Sequence, residues 1–180
     1  MIRMDIAGVA DAVGGTLVDG PDPAALVTGA AAHSRLVAPG DLYVAIVGER
    51  VDGHDFAGSA HAAGAAITLG SRPTGQPTIV VSGDPVDALG RLANHVLGRL
   101  REARVVAITG SSGKTTTKDL VATLLEDLGP TVATAGSLNT EVGLPLTILR
   151  ATEATRFLVL EMGARHACGD RIHQLHHLDD

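Results

Sequence analysis

A glycine- and serine-rich segment followed by a lysine and threonines is the part of this sequence best suited to chemistry. Its residues are Thr109, Gly110, Ser111, Ser112, Gly113, Lys114, Thr115 and Thr116. The glycines let backbone N–H groups converge on phosphate oxygens, the lysine adds a full positive charge, and a threonine hydroxyl is a Mg²⁺ ligand. The segment therefore predicts a site for the phosphates of a nucleoside triphosphate.

A strand and a helix must position this loop. The apolar run 105–108 predicts a short buried strand before it, and a helical pattern after it places Leu120, Val121, Leu124, Leu125 and Leu128 on one face. The spacing departs from G-x-x-x-x-G-K-[ST], because Ile108 stands where the first glycine is expected and the loop is two residues shorter. An ordinary strand-to-helix turn with an incidental lysine is the alternative; the strand–loop–helix context favours the phosphate site.

A carboxylate follows a second apolar strand. Residues 157–160 are apolar and are followed at once by Glu161. Strands alternating with helices predict a parallel sheet with right-handed crossovers, in which ligands lie beyond the carboxyl ends of the strands. Glu161 is then placed to hold a metal ion near the loop; the alternative is a carboxylate that only caps the next turn.

Other polar residues are candidates for substrate contacts. Asn139 and Thr140 follow the predicted strand 131–134, in a segment 137–145 predicted as a loop, although short polar side chains are equally typical of plain turns. Ser34 and Arg35 form a polar pair suited to an anion, and an exposed surface arginine is the alternative.

The end of the sequence is rich in metal-ligating residues, namely His166, Cys168, His173, His176 and His177. The last histidine follows His173 by four residues, a spacing that can bind a metal on one helix face. A structural metal site is not favoured, because zinc-finger spacing and a second cluster are absent from the sequence. His166 follows Glu161 closely, and we expect it to share the metal site.

The pattern along the chain predicts an α/β fold in two parts. Before residue 84 it predicts a helix over 6–13, an alanine-rich helix ending near Gly64, and strands over 42–47, 65–69 and 78–81. Asp84 and Pro85 then predict the start of a helix that runs to Arg101. We therefore expect a small α/β domain over 1–83 and the first part of a parallel-sheet domain over 84–180.

Composition limits the possible partners. The chain has 180 residues, of which 45% are hydrophobic and 19% charged, so a buried core is expected. Its net charge of −6 without a basic run argues against nucleic acid as a partner. A single cysteine excludes an internal disulfide and is typical of a reducing compartment. With no apolar stretch near the ~20 residues that cross a bilayer, we expect no membrane insertion and a cytoplasmic protein.

Three ordered segments, TGSSGKTTTKD, AGSLNTEVGLP and LVLEMGARH, resemble the Mur ligase family. The earlier segment HSRLVAPGDLYVAIVGERVDGHDFAGSAHAAGA resembles the N-terminal substrate domain of that family. The resemblance covers nearly the whole chain, and the short phosphate loop is the family's own form. It implies a UDP-sugar-binding domain followed by part of the central ATP-binding domain.

The resemblance also implies a reaction. In the family, ATP converts a terminal carboxylate to an acyl phosphate, which an amine then attacks to form an amide bond. The segments are most similar to those of members that add D-alanyl-D-alanine to UDP-N-acetylmuramoyl-tripeptide during cytoplasmic peptidoglycan precursor synthesis. ATP and Mg²⁺ are the implied cofactors, and a monomer is implied for the full-length protein.

Individual roles follow from the same resemblance. Residues 109–116 would bind the ATP phosphates, with Lys114 as the catalytic residue that stabilises the transferred phosphoryl group; Thr115, Glu161 and His166 would hold Mg²⁺. Asn139 and Thr140 would contact the UDP-muramoyl-peptide, and Ser34 and Arg35 its uridine-diphosphate end. Family members have three domains, so we expect this chain to be a fragment that does not ligate alone. Two alternatives are a related Mur ligase, such as the one adding the third peptide residue, and a non-catalytic nucleotide- or UDP-sugar-binding remnant.

Overall fold

The computed structural model describes residues 1–136 and 138–163, and they form the α/β structure that the sequence predicts. The helices are α1 Ile6–Val13, α2 Ala57–Ala62, α3 Pro85–Arg99, α4 Lys114–Glu126 and α5 Gly143–Ile148. The strands are β1 Met4–Asp5, β2 Thr16–Val18, β3 Leu26–Val27, β4 Gly29–Ala31, β5 Asp41–Val44, β6 Ile67–Gly70, β7 Thr78–Val80, β8 Arg104–Ile108, β9 Thr131–Ala133 and β10 Phe157–Glu161.

The N-terminal part is built on a five-stranded sheet with the order β2-β7-β6-β5-β4. Strands β4 to β7 are parallel, and β2 pairs antiparallel with β7. Every residue of β5 and β6 is buried, so this sheet forms a closed core. The loops after β4, β5 and β6 leave the sheet at one edge, because the carboxyl ends of parallel strands lie together.

Helices α1 and α3 have the starts that the sequence predicts. Asp5 caps α1 by accepting a hydrogen bond from the N–H of Gly8 at 2.7 Å. Asp84 caps α3 through the N–H of Val86 at 2.8 Å, ahead of Pro85 in the first turn. Helix α3 packs against both α1 and α5, and its apolar face belongs to a core cluster that includes residues from both parts of the chain.

The C-terminal sheet has three parallel strands in the order β8-β10-β9, which confirms the predicted parallel sheet. In this register Glu161, the last residue of β10, lies opposite Ile108, the last residue of β8. Helix α4 follows β8 and packs mainly against β9 and β10. The phosphate-loop segment and Glu161 therefore lie at the same edge of the sheet.

Several elements differ from those predicted. The short strands β1 to β4 fall in segments without a strand pattern, and two of them have only two residues. Helix α5 begins at Gly143, inside the segment predicted as a loop, where Thr140 accepts the N–H of Gly143 through its hydroxyl oxygen at 3.0 Å. Pro145 is compatible with this first helical turn, because its missing N–H has no intrahelical partner there.

Helix α4 exposes most of the leucine stripe that the sequence placed on one face. Leu120, Leu124 and Leu128 are 62%, 68% and 64% exposed, whereas the buried residues of the helix are Lys118 and Ala122. The helix thus turns a mixed polar and small-residue face toward β9 and β10. None of the helices in the described part of the chain combines the length and apolar character needed to cross a membrane.

Candidate nucleotide-binding site

The segment between β8 and α4 is an exposed turn that depends on two glycines. Gly110 has φ 149° and Gly113 has φ 74°, a left-handed conformation that residues with a Cβ rarely adopt. Apart from Gly113 and its chain neighbours, no described residue comes within 4 Å of where a Cβ on Gly113 would be, so the space beside the turn is open among the described residues. Gly113 is also the N-cap of α4 and supplies no side-chain cap, which leaves the first N–H groups of the helix available to an anion.

Lys114 lies across this turn. Its Nζ donates a hydrogen bond to the carbonyl oxygen of Gly110 at 2.8 Å, and the side chain is half-buried. The ammonium group therefore lies beside the turn and the N-terminus of α4. A positive charge beside the N-terminus of a helix suits the oxygens of a polyphosphate.

Glu161 is the buried acid of the site, at 2% exposure. The hydroxyl of Thr115 donates to its Oε2 at 2.9 Å, and the side-chain amide of Asn139 donates to its Oε1 at 3.0 Å. Its own N–H donates to the hydroxyl oxygen of Thr134 at 3.1 Å. Thr115 comes from α4, Asn139 from the loop after β9 and Glu161 from β10, so three separate segments converge here.

The donor set around Glu161 fits a hard cation. Within residues 1–136 and 138–163, only neutral donors contact the carboxylate, and no salt bridge involves it. A buried carboxylate without a counter-charge is unfavourable, and Mg²⁺ prefers carboxylate and hydroxyl oxygens. The Thr115 hydroxyl and the Glu161 carboxylate can therefore serve as ligands for Mg²⁺ beside the phosphate loop.

Other predicted site residues lie elsewhere. Thr140 accepts the N–H of Gly143, the first residue of α5, through its hydroxyl oxygen at 3.0 Å. Ser34 and Arg35 lie in a short 3-10 turn, 34–36, after β4 at the edge of the five-stranded sheet, with Arg35 exposed.

The predicted metal ligand His166 and the cluster of Cys168, His173, His176 and His177 lie outside the described residues. Among those described, no group of three His, Cys, Asp or Glu side chains is arranged to hold a metal ion.

A polar network that joins the segments after β5 and β6 was not predicted from the sequence. His54 is buried; its Nε2 accepts the N–H of Ser71 at 3.0 Å, so its Nδ1 carries the proton and donates to Asp52. Arg72 also donates to Asp52 at 3.0 Å. The backbone N–H of His54, then Arg72 and the His54 ring, hold the pKa of Asp52 well below its usual range.

The loop 46–53, which contributes Asp52 to this network, is also held by contacts of Tyr43 and Gly53. The hydroxyl of Tyr43 donates to the carbonyl oxygen of Gly53 at 2.9 Å, and burial followed by the charge of Asp52 raises the pKa of Tyr43. A Cβ on Gly53 would lie 2.6 Å from the backbone N and O of Ile46, so only glycine fits. The carboxyl edge of the five-stranded sheet thus presents a preformed surface.

A parallel sheet with a glycine-rich turn ahead of a lysine–threonine helix, and an acid on the neighbouring strand, defines a phosphate-binding α/β protein of P-loop type. Sequence comparison agrees with this class. The Mur ligase middle domain matches residues 108–179, and the catalytic domain of the Mur ligase family matches residues 26–123, more than half of the chain. The chain belongs to the Mur ligase family, which confirms the resemblance seen in the sequence.

The most similar relatives fall in one branch of that family. The UDP-N-acetylmuramoyl-tripeptide–D-alanyl-D-alanine ligase of Mycobacterium tuberculosis is 46% identical over 192 residues, covering 92% of this chain and 38% of the relative. A crystal structure of MurF from Acinetobacter baumannii superposes with a TM-score of 0.82 at 32% identity, over 91% of this chain and 36% of that one.

MurF ligase from Thermotoga maritima in complex with ADP superposes with a TM-score of 0.69 at 39% identity, over 83% of this chain and 35% of that one. The chain therefore spans between a third and two fifths of the length of these relatives.

Proposed function

We propose that the chain forms the UDP-sugar-binding and nucleotide-binding parts of a ligase that uses ATP to join D-alanyl-D-alanine to UDP-N-acetylmuramoyl-tripeptide. The carrying observation is the convergence of Thr115 and Glu161, 2.9 Å apart, at the turn that holds Lys114. The names of the similar relatives support the choice of substrates, and the ADP complex of the Thermotoga maritima enzyme supports a nucleotide. The reaction belongs in the cytoplasm, and the full-length enzyme acts as a monomer.

The phosphate-loop residues 109–116 bind the nucleotide through backbone N–H groups and hydroxyls. Lys114 exchanges its bond to the Gly110 carbonyl for phosphate oxygens and stabilises the charge that develops on the transferred phosphoryl group. Thr115 and Glu161 hold Mg²⁺, which when bound neutralises phosphate charge. Asn139 keeps Glu161 oriented through its amide. Phosphorylation of the substrate carboxylate replaces a poor leaving group with phosphate, so that an amine can displace it.

The substrate contacts both parts of the chain. Residues 1–83 form the UDP-sugar domain, and 84–180 form part of the ATP domain. Ser34 and Arg35, in the turn after β4, bind the uridine-diphosphate end. Asn139 and Thr140 contact the UDP-muramoyl-peptide, and His166 is a further Mg²⁺ ligand.

Calorimetric titration of the chain with Mg·ATP and with UDP-muramoyl-tripeptide, separately, tests both sites. Lys114→Met and Glu161→Gln should each weaken Mg·ATP binding by roughly tenfold or more, because each removes a charge-assisted contact. Arg35→Gln should weaken only the UDP-sugar, and Leu124→Met, on the exposed face of α4, should change neither. Failure of the unmodified chain to bind Mg·ATP would overturn the proposal.

Incorporation of labelled D-alanyl-D-alanine into UDP-muramoyl peptides tests the reaction itself in the full-length protein, because the 180-residue chain is expected not to ligate alone. A panel that differs in the length of the peptide distinguishes this ligase from the relative that adds the third residue. Binding of both ligands by the full-length protein without ADP release would favour the non-catalytic alternative, and incorporation by the 180-residue chain would contradict the expectation that it does not ligate alone.

A further inference from the structure

Lys118 is a buried lysine that the proposed reaction leaves without a role. It is 1% exposed, and its Nζ donates to the carbonyl oxygens of Thr134 at 2.6 Å and Gly136 at 3.2 Å. It also forms an ion pair with Asp119 at 2.7 Å. An ammonium has three donors, and here each has an acceptor, which offsets the cost of removing the charge from water.

Lysine is a rare residue in this chain. Lys114 and Lys118 are its only two lysines, against 12 arginines, and both lie at the start of α4. A compact ammonium can donate in three directions, whereas the planar guanidinium of arginine presents a fork suited to flat, two-oxygen acceptors. The Nζ of Lys118 is surrounded by two backbone carbonyls and one carboxylate, an arrangement that suits the three donors of an ammonium.

A first chain of hydrogen bonds connects Lys118, through Thr134, to the backbone of Glu161. The Thr134 carbonyl accepts from Lys118, and the Thr134 hydroxyl oxygen accepts the N–H of Glu161 at 3.1 Å. The Thr134 N–H in turn donates to the carbonyl of Val159 at 3.0 Å. Lys118 therefore fixes the residue that holds the backbone of Glu161.

A second connection runs from Lys118, through the turn at Gly136, to Asn139 and the Oε1 atom of Glu161. The Gly136 carbonyl that Lys118 holds belongs to a tight turn, in which Gly136 has φ 53° and the N–H of Leu138 donates to Ala135 at 3.2 Å. This turn leads directly to Asn139, whose amide donates to Oε1 of Glu161 at 3.0 Å. Thr115, the remaining donor to Glu161, lies three residues before Lys118 on the same helix.

We propose that Lys118 is a positioning residue that holds Glu161 in the geometry needed for Mg²⁺, by pinning the start of the loop after β9 to α4. This inference rests on the proposed nucleotide site and adds to it a residue that touches neither phosphate nor cation. Residues that orient metal ligands typically change metal affinity by about 10- to 100-fold when lost.

The test compares ATP affinity with and without Mg²⁺ in the 180-residue chain. Lys118→Met keeps the length of the side chain and removes its donors, so the Kd for Mg·ATP should rise about tenfold. The Kd for ATP in EDTA should stay within about twofold of the unmodified chain, because Lys114 and the loop are intact. Lys114→Met should weaken both, and Leu124→Met neither.

Amide hydrogen exchange at Glu161 gives a readout that does not need the nucleotide. Lys118→Met should lower protection of this amide and leave the amides of β5 and β6 unchanged. Thr134→Val removes the hydroxyl acceptor of the Glu161 N–H, keeps the Lys118 contact with the Thr134 carbonyl, and should lower protection directly. Lys118→Gln keeps an amide donor and should lower protection less than Lys118→Met, which keeps the test valid if the methionine variant does not fold.

Two results for Lys118→Met would overturn the proposed role of Lys118. One is an equal rise in the Kd for ATP with and without Mg²⁺, and the other is no change in either the Kd or the protection of the Glu161 amide. If the unmodified chain binds no Mg·ATP, the proposed function fails, and the exchange measurement still decides whether Lys118 positions Glu161.

Discussion

The two larger sheets of the molecule are covered to different extents. In the five-stranded sheet, Leu42, Ile67 and Leu69 are completely buried. In the three-stranded sheet, Val105 on β8 is 40% exposed, and the leucine stripe of α4 faces solvent. Among the described strands, β8 pairs only with β10, so its other edge keeps unpaired backbone groups.

The difference shows that burial serves separate purposes in the two regions. Around the five-stranded sheet the most buried side chains are mostly aliphatic, and they stabilise the fold. Beside the three-stranded sheet, the polar side chains of Lys118, Thr134 and Glu161 are at most 2% exposed, and they belong to the candidate site and its surroundings. The exposed apolar stripe of α4 is a surface prone to association.

The largest expected effect is in the five-stranded sheet. Leu69→Ala should lower the free energy of unfolding by about 2–5 kcal/mol, because it leaves a cavity in a closed core. Denaturant unfolding followed by circular dichroism measures the change. If the free energy of unfolding fell by less than about 1 kcal/mol, the core of the five-stranded sheet would not be the tightly packed region that its burial indicates.

An intermediate effect is expected at the phosphate loop. Gly113→Ala should cost roughly 1–2 kcal/mol, since alanine must adopt the left-handed conformation there. Gly90→Ala is the matched control, because Gly90 lies inside α3 with open space around it, and it should stabilise the chain by about 0.4–1 kcal/mol. Chemical unfolding of both variants gives the comparison, and equal effects would contradict it.

A smaller, pH-dependent effect is expected at the half-buried Asp52. Its lowered pKa means that the folded state favours the carboxylate, so its contribution to stability is complete above the ordinary pKa of about 4 and is lost as the pH falls through the folded-state value. Asp52→Asn should therefore destabilise the chain at pH 7 and differ less from the unmodified chain below pH 4.

Thermal unfolding at several pH values measures this change. Asp55→Asn removes only the 3.3 Å contact with Arg72 and should have a weaker effect. A difference between Asp52→Asn and the unmodified chain that does not vary with pH would contradict the interpretation.

The smallest effect on stability is expected on the exposed stripe. Leu124→Ala should change the free energy of unfolding by no more than about 0.5 kcal/mol, because the side chain is already in water. Leu120→Lys should lower any self-association seen by sedimentation. A cost for Leu124→Ala comparable to that of Leu69→Ala would show that the stripe is covered in solution, and the comparison between the regions would fail.

Contiguous patterns made most of the sequence-based predictions possible. The residues of α1 were predicted with their observed limits, and α3 was recognised from Asp84 and Pro85. The missed strands β1 to β4 are two or three residues long, too short for a period to show. Helix α5 begins at Gly143, inside a segment that was predicted as a loop because Gly143 and Pro145 are residues of low helix propensity.

The sequence by itself determined the phosphate loop, the acid at the end of the last described strand and the family, because these depend on residues that are neighbours in the chain. Only the tertiary structure decided that Glu161 meets Thr115 and Asn139, that Lys118 is buried and that the leucines of α4 are not. The physical reason is that α4 packs against the sheet formed when β10 pairs with β8 and β9, and this packing determines which face of α4 is buried. Residues far apart in the chain form that sheet.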